Sequence, residues 1–335
     1  MNRTPEGIAL LYPIALPKRL TVLITLPDRI KHYNLDISYN ELNKLVRNYR
    51  KYIQVRSSNQ FLGVSQKLYQ LLIHPVQKDL IAANIHTLLV APDGVLRLIP
   101  FASLHDTTNF LIEKYAVVTI PAINLTDTAE LHHKKKMETL VVGLSDAVQD
   151  FSALPSVKEE LKDIKKIMNA NKMYMNQTFT IPNVQNEFKH NDYAIVHFAT
   201  HGVFGGTGKH SFLLTYDNQL DMDALEDLMS LGKYRDHQVE MLTLSACQTA
   251  LGNERAALGL GGVAVKAGVK SAVATLWYVD DEATSLAIRE LYRQLKKRKM
   301  TKAKALQNAQ KMLISTRKYW HPIYWAPFLL IGCWI

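Results

Sequence analysis

Cysteine is nearly absent from this chain. Its 335 residues include two, Cys247 and Cys333, too few for a disulfide framework, which points to a reducing compartment. The amino end lacks the charged start, apolar core and small-residue cleavage site of a secretory signal. Phe328 to Ile335 is apolar for only eight residues, where crossing a bilayer takes about 20. These absences set the expectation of a cytoplasmic protein with no membrane partner. Internal repeats and low-complexity tracts are missing too, and with an apolar fraction of 47% the chain is expected to be globular rather than disordered. His132 and His133 have no Cys or His partners at zinc-type spacing, so no metal is expected. No Lys–Ser/Thr pair follows Gly259, Gly261 and Gly262, which excludes a phosphate loop. Nothing else calls for a cofactor. Acidic residues are in the minority, 30 against 40 Lys and Arg, for a net charge of +10 and a pI near 9.3. Such a balance can signal acidic partners. The charges are scattered, however, and the densest runs, His132 to Lys136 and Lys296 to Lys299, read as a solvated linker and a helix end. Nucleic acid is therefore expected only indirectly, through partners.

What is present centres on two stretches of one design. Val239 to Leu244 is a β-type run leading straight into Ser245, Ala246 and Cys247, and Tyr193 to Phe198 leads into Ala199, Thr200, His201 and Gly202. Continuous apolar runs closed by small residues are the signature of buried parallel strands. Chemistry in open α/β sheets collects beyond the carboxyl ends of such strands. If both strands belong to one sheet, His201 and Cys247 emerge at one edge. A facing Cys and His are the minimum for thiolate catalysis. Judged alone, a Cys after a buried strand is a small hydrophobe; its joint placement with His201 favours chemistry.

The segments HFATHG, LSACQTALG, GLGGVAVKAGVKSAVATLWYVDDEAT and HPIYWAPFLLIG resemble the CHAT domain, a caspase- and separase-like cysteine peptidase. IHTLLVAPDGVLRLIPFASL is similar to the earlier half of that domain. Together they cover most of the chain from about residue 80 onward. The resemblance implies a caspase-like layered α/β fold, with a mostly parallel sheet flanked by helices. It also implies a degenerate amino-terminal half bracing an active second one. The activity implied is that of a regulated cysteine endopeptidase acting on a protein substrate, latent until a sensor or TPR-type regulatory domain or subunit engages it. A role in bacterial defence is implied only at the level of the family.

The organisation expected is an amino-terminal subdomain over residues 1–125, a linker over 126–136 and an active subdomain over 137–335. In the first, strands are expected at Ile8 to Leu11, Leu20 to Thr25, Ile85 to Ala91, Val95 to Pro100 and Tyr115 to Ile120. A helix capped near Asn40 and another from Asn59, broken or kinked at Pro75, complete it. In the second, a strand over Glu138 to Leu144 precedes a helix capped by Ser156 with Val157, Leu161, Ile164 and Met168 on one face. A short helix over Val184 to Lys189 and the His201 strand follow, then a strand over Phe212 to Thr215 and a helix over Asp221 to Leu231. Beyond Cys247 come a small-residue helix ending at Gly268, a strand over Ser271 to Trp277, two more helices and a terminal strand over Trp325 to Ile331.

In the mechanism expected, Cys247 attacks a peptide carbonyl as its thiolate, while His201 takes the thiol proton and then protonates the departing amine. The backbone N–H groups of Gly202 and Cys247 would hold the oxyanion, and small Ser245 keeps the approach open. Asp280 and Asp281 lie beyond the Ser271 to Trp277 strand, at the same edge. Either they form a pocket that pairs with a substrate Arg or Lys, which the resemblance assigns to Asp281, or they are ordinary helix caps. Trp277 either lines the cleft or seals the sheet. The loop Val203 to His210, with Gly205, Gly206 and Gly208, is either a lid or a tolerated insertion. His197 is taken as core or support for the site, with no acidic partner to make it a metal site, and Cys333 as buried packing. The alternative to an enzyme is an inactive caspase-like scaffold or a binding module using its basic surface.

Overall fold

The structure is a computed structural model that describes residues 4–120, 138–204, 211–233, 238–245, 248–249 and 268–335. The expected linker at 126–136, the glycines of the Val203–His210 loop, the small-residue helix through Ala267 and Cys247 itself lie outside the described residues.

The chain opens with β1 (Ile8–Ala15), β2 (Leu20–Thr25) and β3 (Ile30–Leu35), an antiparallel meander. Three helices follow: α1 (Tyr39–Tyr52), α2 (Gln60–Leu72) and α3 (His74–Ala82). Ser38, rather than Asn40, caps α1, in a reciprocal box with Glu41. Pro75 does not kink one long helix; it starts α3, where a missing N–H is harmless. Then come β4 (Thr87–Val90), the one-turn α4 (Leu111–Lys114) and β5 (Ala116–Thr119). The strand expected at Val95 to Pro100 is instead a 3₁₀ turn over Gly94–Leu98. Both flanks of β4 are already occupied, by β1 and β5, so the apolar Val95, Leu96 and Leu98 bury without a strand partner.

The second half contains β6 (Thr139–Gly143), α5 (Pro155–Met168), β7 (Lys172–Met175), α6 (Ile181–His190) and β8 (Ile195–Ala199). After these come β9 (Gly202–Phe204), β10 (Ser211–Leu214), β11 (Gln219–Asp221) and α7 (Met222–Lys233). The chain finishes with β12 (Met241–Leu244), β13 (Gln248–Thr249), β14 (Ser271–Thr275), α8 (Asp281–Leu295), α9 (Lys302–Ser315) and β15 (Phe328–Gly332). Ser156 is not a cap: Leu154 holds the cap position of α5, and Ser156 lies within its first turn.

Eleven strands form one sheet in the order β3-β2-β1-β4-β5-β15-β14-β12-β8-β6-β7. β14, β12, β8, β6 and β7 are mutually parallel, as are β1, β4, β5 and β15. The two sets meet at β15, which pairs antiparallel with β14. Their carboxyl ends consequently lie on opposite rims. Every residue of β6, β8, β12 and β14 is buried, as expected when helices cover both faces of a parallel sheet. Alternation along β8 sends Ile195 and Ala199 into one core and Val196 and Phe198 into the other. Among the described residues no helix is long and apolar enough to cross a membrane.

Candidate active site

β8 and β12 are direct parallel neighbours, with Thr243 opposite His197 and Leu244 opposite Phe198. Beyond the last pair, Ser245 N–H donates to Phe198 O at 2.9 Å, so the ladder runs one residue past the end of β12. On the far side, β13 pairs in parallel with β9, Gln248 opposite Val203. His201 lies between β8 and β9; Cys247 occupies the matching place in the sequence, between Ser245 and Gln248.

His201 is held from three sides. Its Nε2 lies 2.7 Å from Ser152 O, in the loop between β6 and α5. A carbonyl only accepts, so Nε2 carries the proton and Nδ1 is left as the basic nitrogen. The Phe151 ring packs on the imidazole at 5.0 Å between centroids, and His201 O accepts from Leu214 N at 2.8 Å. The strand below is equally constrained. Gly143 of β6 pairs with Ala199, and a Cβ on Gly143 would sit 2.4 Å from Ala199 O. Gly202 is buried opposite Leu213 of β10.

Next to these strand ends is a narrow slot of about 10 Å³, room for roughly one water molecule. Its walls are Leu154, Val157 and Glu160 of the α5 region, Ser245, Thr275, and the Tyr278, Val279, Asp281 and Thr284 stretch. The two aspartates divide their work. Asp280 is exposed and caps α8, its Oδ1 accepting from Ala283 N at 3.1 Å, and it does not line the slot. Asp281 lines the slot, and its Oδ2 accepts from Ser156 N at 2.8 Å. Ser245 Oγ and Thr275 Oγ1 are buried without a hydrogen-bond partner among the described residues. The slot thus presents carboxylate and hydroxyl oxygens to a space that holds about one water molecule.

Glu160 is the residue that the sequence reading missed. It is 1% exposed, and its Oε1 lies 2.9 Å from His197 Nε2, giving that histidine a buried acidic partner. His197 Nδ1 meets the Tyr292 hydroxyl at 3.3 Å, and that hydroxyl donates to Thr243 Oγ1 at 3.0 Å. Burial pushes the Tyr292 phenol well above its ordinary pKa, the Thr243 bond opposes this, and the Glu160 charge adds to it. A clue was available: Glu160 falls three residues after Val157 and four before Ile164, on the apolar face of α5. Trp277 is buried and donates from Nε1 to Ile323 O at 3.0 Å, so it seals the sheet. Cys333 is buried.

The fold is similar to that of separase from Saccharomyces cerevisiae in its complex with securin, at a TM-score of 0.62 and 10% identity, covering 97% of this chain and 30% of that one. It is also similar to the Arg-specific cysteine proteinase gingipain R, at a TM-score of 0.53 and 10% identity, covering 88% of this chain and 74% of that one. These neighbours make the fold a caspase-like cysteine peptidase fold. In sequence the chain is similar to tetratricopeptide repeat protein 28 of Homo sapiens, 25% identical over 321 residues. The match to the same protein of Mus musculus is 25% over 322 residues. Both cover 79% of this chain but only 13% of the relative's length. Residues 62–333 match the CHAT domain itself, most of the chain, and the protein belongs to the CHAT-domain family.

Proposed function

We propose that this chain is a cysteine endopeptidase in which Cys247 is the nucleophile and His201 its general base and acid. The observation that carries the reading is the tethered imidazole. With Nε2–H committed to Ser152 O at 2.7 Å, Nδ1 is the nitrogen free to accept a thiol proton and later return it to the leaving amine. The adjacency of the β8 and β12 ends supports the pairing. The N–H groups of Gly202 and Cys247 serve as oxyanion donors in this proposal, and Asp281 receives a basic substrate side chain in the slot, beside Ser245. Asp280 contributes charge from outside, since its carboxylate is spent on the cap of α8.

The slot's size supports latency. An arginine or lysine head needs several times the present 10 Å³ or so, so the Tyr278 to Asp281 turn has to move outward before substrate is held. A sensor module would supply that movement, and tetratricopeptide repeats, named in both relatives, are the type we propose. The halves at 1–125 and 137–335 then act as brace and catalytic unit, in a cytoplasmic setting that keeps the thiol reduced.

The test is a thiol-reactive peptide probe with a basic residue at its recognition position, alongside cleavage of a diverse peptide library. Cys247 is expected to be labelled, with labelling and cleavage lost in Cys247→Ala and His201→Ala variants of unchanged fold. Full cleavage by either variant rejects the assignment.

A further inference from the structure

Arg50, a charged group of α1, reaches the carboxyl end of β14. Its Nη2 donates to Leu276 O at 2.6 Å, and its guanidinium lies over the Trp277 ring at 4.1 Å from the centroid. Nη1 is buried and has no hydrogen-bond partner among the described residues. Among the described residues no carboxylate pairs with it, and burial pulls its pKa down to about 9, so at neutral pH a cation sits in a poorly solvated place without a counter-charge from them. For packing alone this is a poor choice, because a buried unpaired charge costs free energy that an apolar side chain of like length does not.

The place it grips explains the choice. Leu276 and Trp277 follow directly on β14 and lead into the turn that supplies Tyr278, Val279 and Asp281 to the slot. Leu276 N–H is tied to Pro327 O and Trp277 Nε1 to Ile323 O, each at 3.0 Å. Those bonds fix the strand end from the side of the carboxyl-terminal segment. Arg50 fixes it from α1, in the amino-terminal half, with a fork that can hold a carbonyl and stack on an indole at once, which lysine cannot do.

We infer that Arg50 is a positioning residue that sets the height of the Leu276–Asp281 turn, and so couples the amino-terminal half to the width of the slot. The inference rests on the reading of the slot as the receptor for a basic substrate side chain. It makes the substrate preference depend on a residue that touches neither substrate nor sulfur. A change in the pose of α1 would be transmitted through the Leu276 carbonyl and the Trp277 ring.

The experiment compares wild type with Arg50→Lys, Arg50→Met and Trp277→Phe. Enzyme concentration is fixed by titrating the reactive thiol, on peptides differing only in Arg or Leu at the cleaved position. Both Arg50 variants are expected to raise KM for the Arg peptide about tenfold, with kcat within about threefold. The Arg-over-Leu preference falls with it, and Trp277→Phe gives a smaller loss in the same direction. A uniform fall in active fraction with KM and preference unchanged would mean a merely structural role and overturns the inference, as would full retention of the preference in Arg50→Met. If wild type cleaves neither peptide and Cys247 is not labelled by the thiol-reactive probe, the peptidase reading fails separately. The slot is then probed by benzamidine binding to Cys247→Ala chains with and without Arg50→Met. At least tenfold weaker binding is expected for the double variant, and equal binding overturns the coupling.

Discussion

Asp281 has two jobs in this structure, and one substitution separates them. Its Oδ2 accepts the Ser156 N–H, in the first turn of α5, at 2.8 Å, while the carboxylate also lines the slot. Asp281→Ala removes both roles. The Ser156 amide loses its acceptor, at about 1–2 kcal/mol of stability as for other lost caps, so a fall in activity could be blamed on a shifted helix. Asp281→Asn keeps an oxygen for Ser156 and removes only the charge, costing roughly 0.3–1 kcal/mol through the lost helix-dipole interaction. Its effect on a cationic substrate is larger. A pair of unit charges about 4 Å apart, at the effective dielectric of about 20 suited to a partly buried site, attracts by about 4 kcal/mol. Desolvating the incoming cation offsets part of that, leaving about 2–3 kcal/mol, or roughly 30- to 150-fold in kcat/KM.

The assay is steady-state cleavage of paired peptides with Arg or Leu at the cleaved position, by thiol-titrated wild type, Asp281→Asn and Asp281→Ala, with thermal unfolding in parallel. Asp281→Asn is expected to unfold close to wild type and to lose the Arg preference. Asp281→Ala is expected to lose the preference and also stability. Asp280→Ala is the comparison, since Asp280 is exposed and caps α8; it should lower stability by about 1 kcal/mol and lower the preference far less than Asp281→Asn does. An Asp281→Asn enzyme that still favours Arg within about threefold of wild type would refute the reasoning, for the charge would then play no part in recognition.

Two other outcomes follow from the packing around the site. Gly143→Ala places a methyl 2.4 Å from Ala199 O, so β8 has to shift, and overpacking of this kind costs about 1–3 kcal/mol. Because Ala199 lies two residues before His201, thiol-probe labelling is expected to fall by more than the folded fraction measured by circular dichroism. Acid stability is the second. Burial pushes the Asp79 carboxyl up, but hydrogen bonds from Lys31, Tyr33 and Arg29 more than offset this and hold it below its ordinary value. A depressed folded pKa stabilises above the unfolded value, near 3.8, and that contribution disappears as pH falls through the folded value. Asp79→Asn should therefore destabilise at neutral pH and flatten the loss of stability below about pH 4; equal acid sensitivity in both proteins would exclude Asp79 as its source.

The parts of the fold legible in the sequence were those that water never touches. β6, β8, β12 and β14 are buried on both faces, so their apolar runs are unbroken and mark them without help from tertiary structure. β3 and β7 end the sheet on either side, and their sequences, IKHYNL and KMYM, carry lysine and polar groups on an outer edge. That composition blunts an exposed edge and erases the pattern by which a strand is recognised. Val95 to Pro100 fails in the opposite direction. It has the apolar content of a strand, but the topology gives it no vacant neighbour, and only the strand order reveals that.

The site divides along the same line. The place of His201 follows from counting along a strand whose end is fixed by pairing, which is a one-dimensional argument. The separation of Asp280 from Asp281 is not: both precede a helix, and which one turns inward is decided by the Ser156 amide, 125 positions away. The buried Glu160 is a still clearer case. Along the chain His197 has no acid nearby, yet α5 packs over β8 and lays Glu160 against it, with Tyr292 of α8 and Thr243 of β12 closing the network. Removing one member of such a network leaves another buried and unpaired, which costs more than replacing the whole by apolar groups. The network therefore locks α5, α8, β8 and β12 into one arrangement, and the slot formed by the first turns of those helices inherits its shape from it. What remains adjustable is the turn from Tyr278 to Asp281, which ends in Asp281 and is steadied at its base by Arg50.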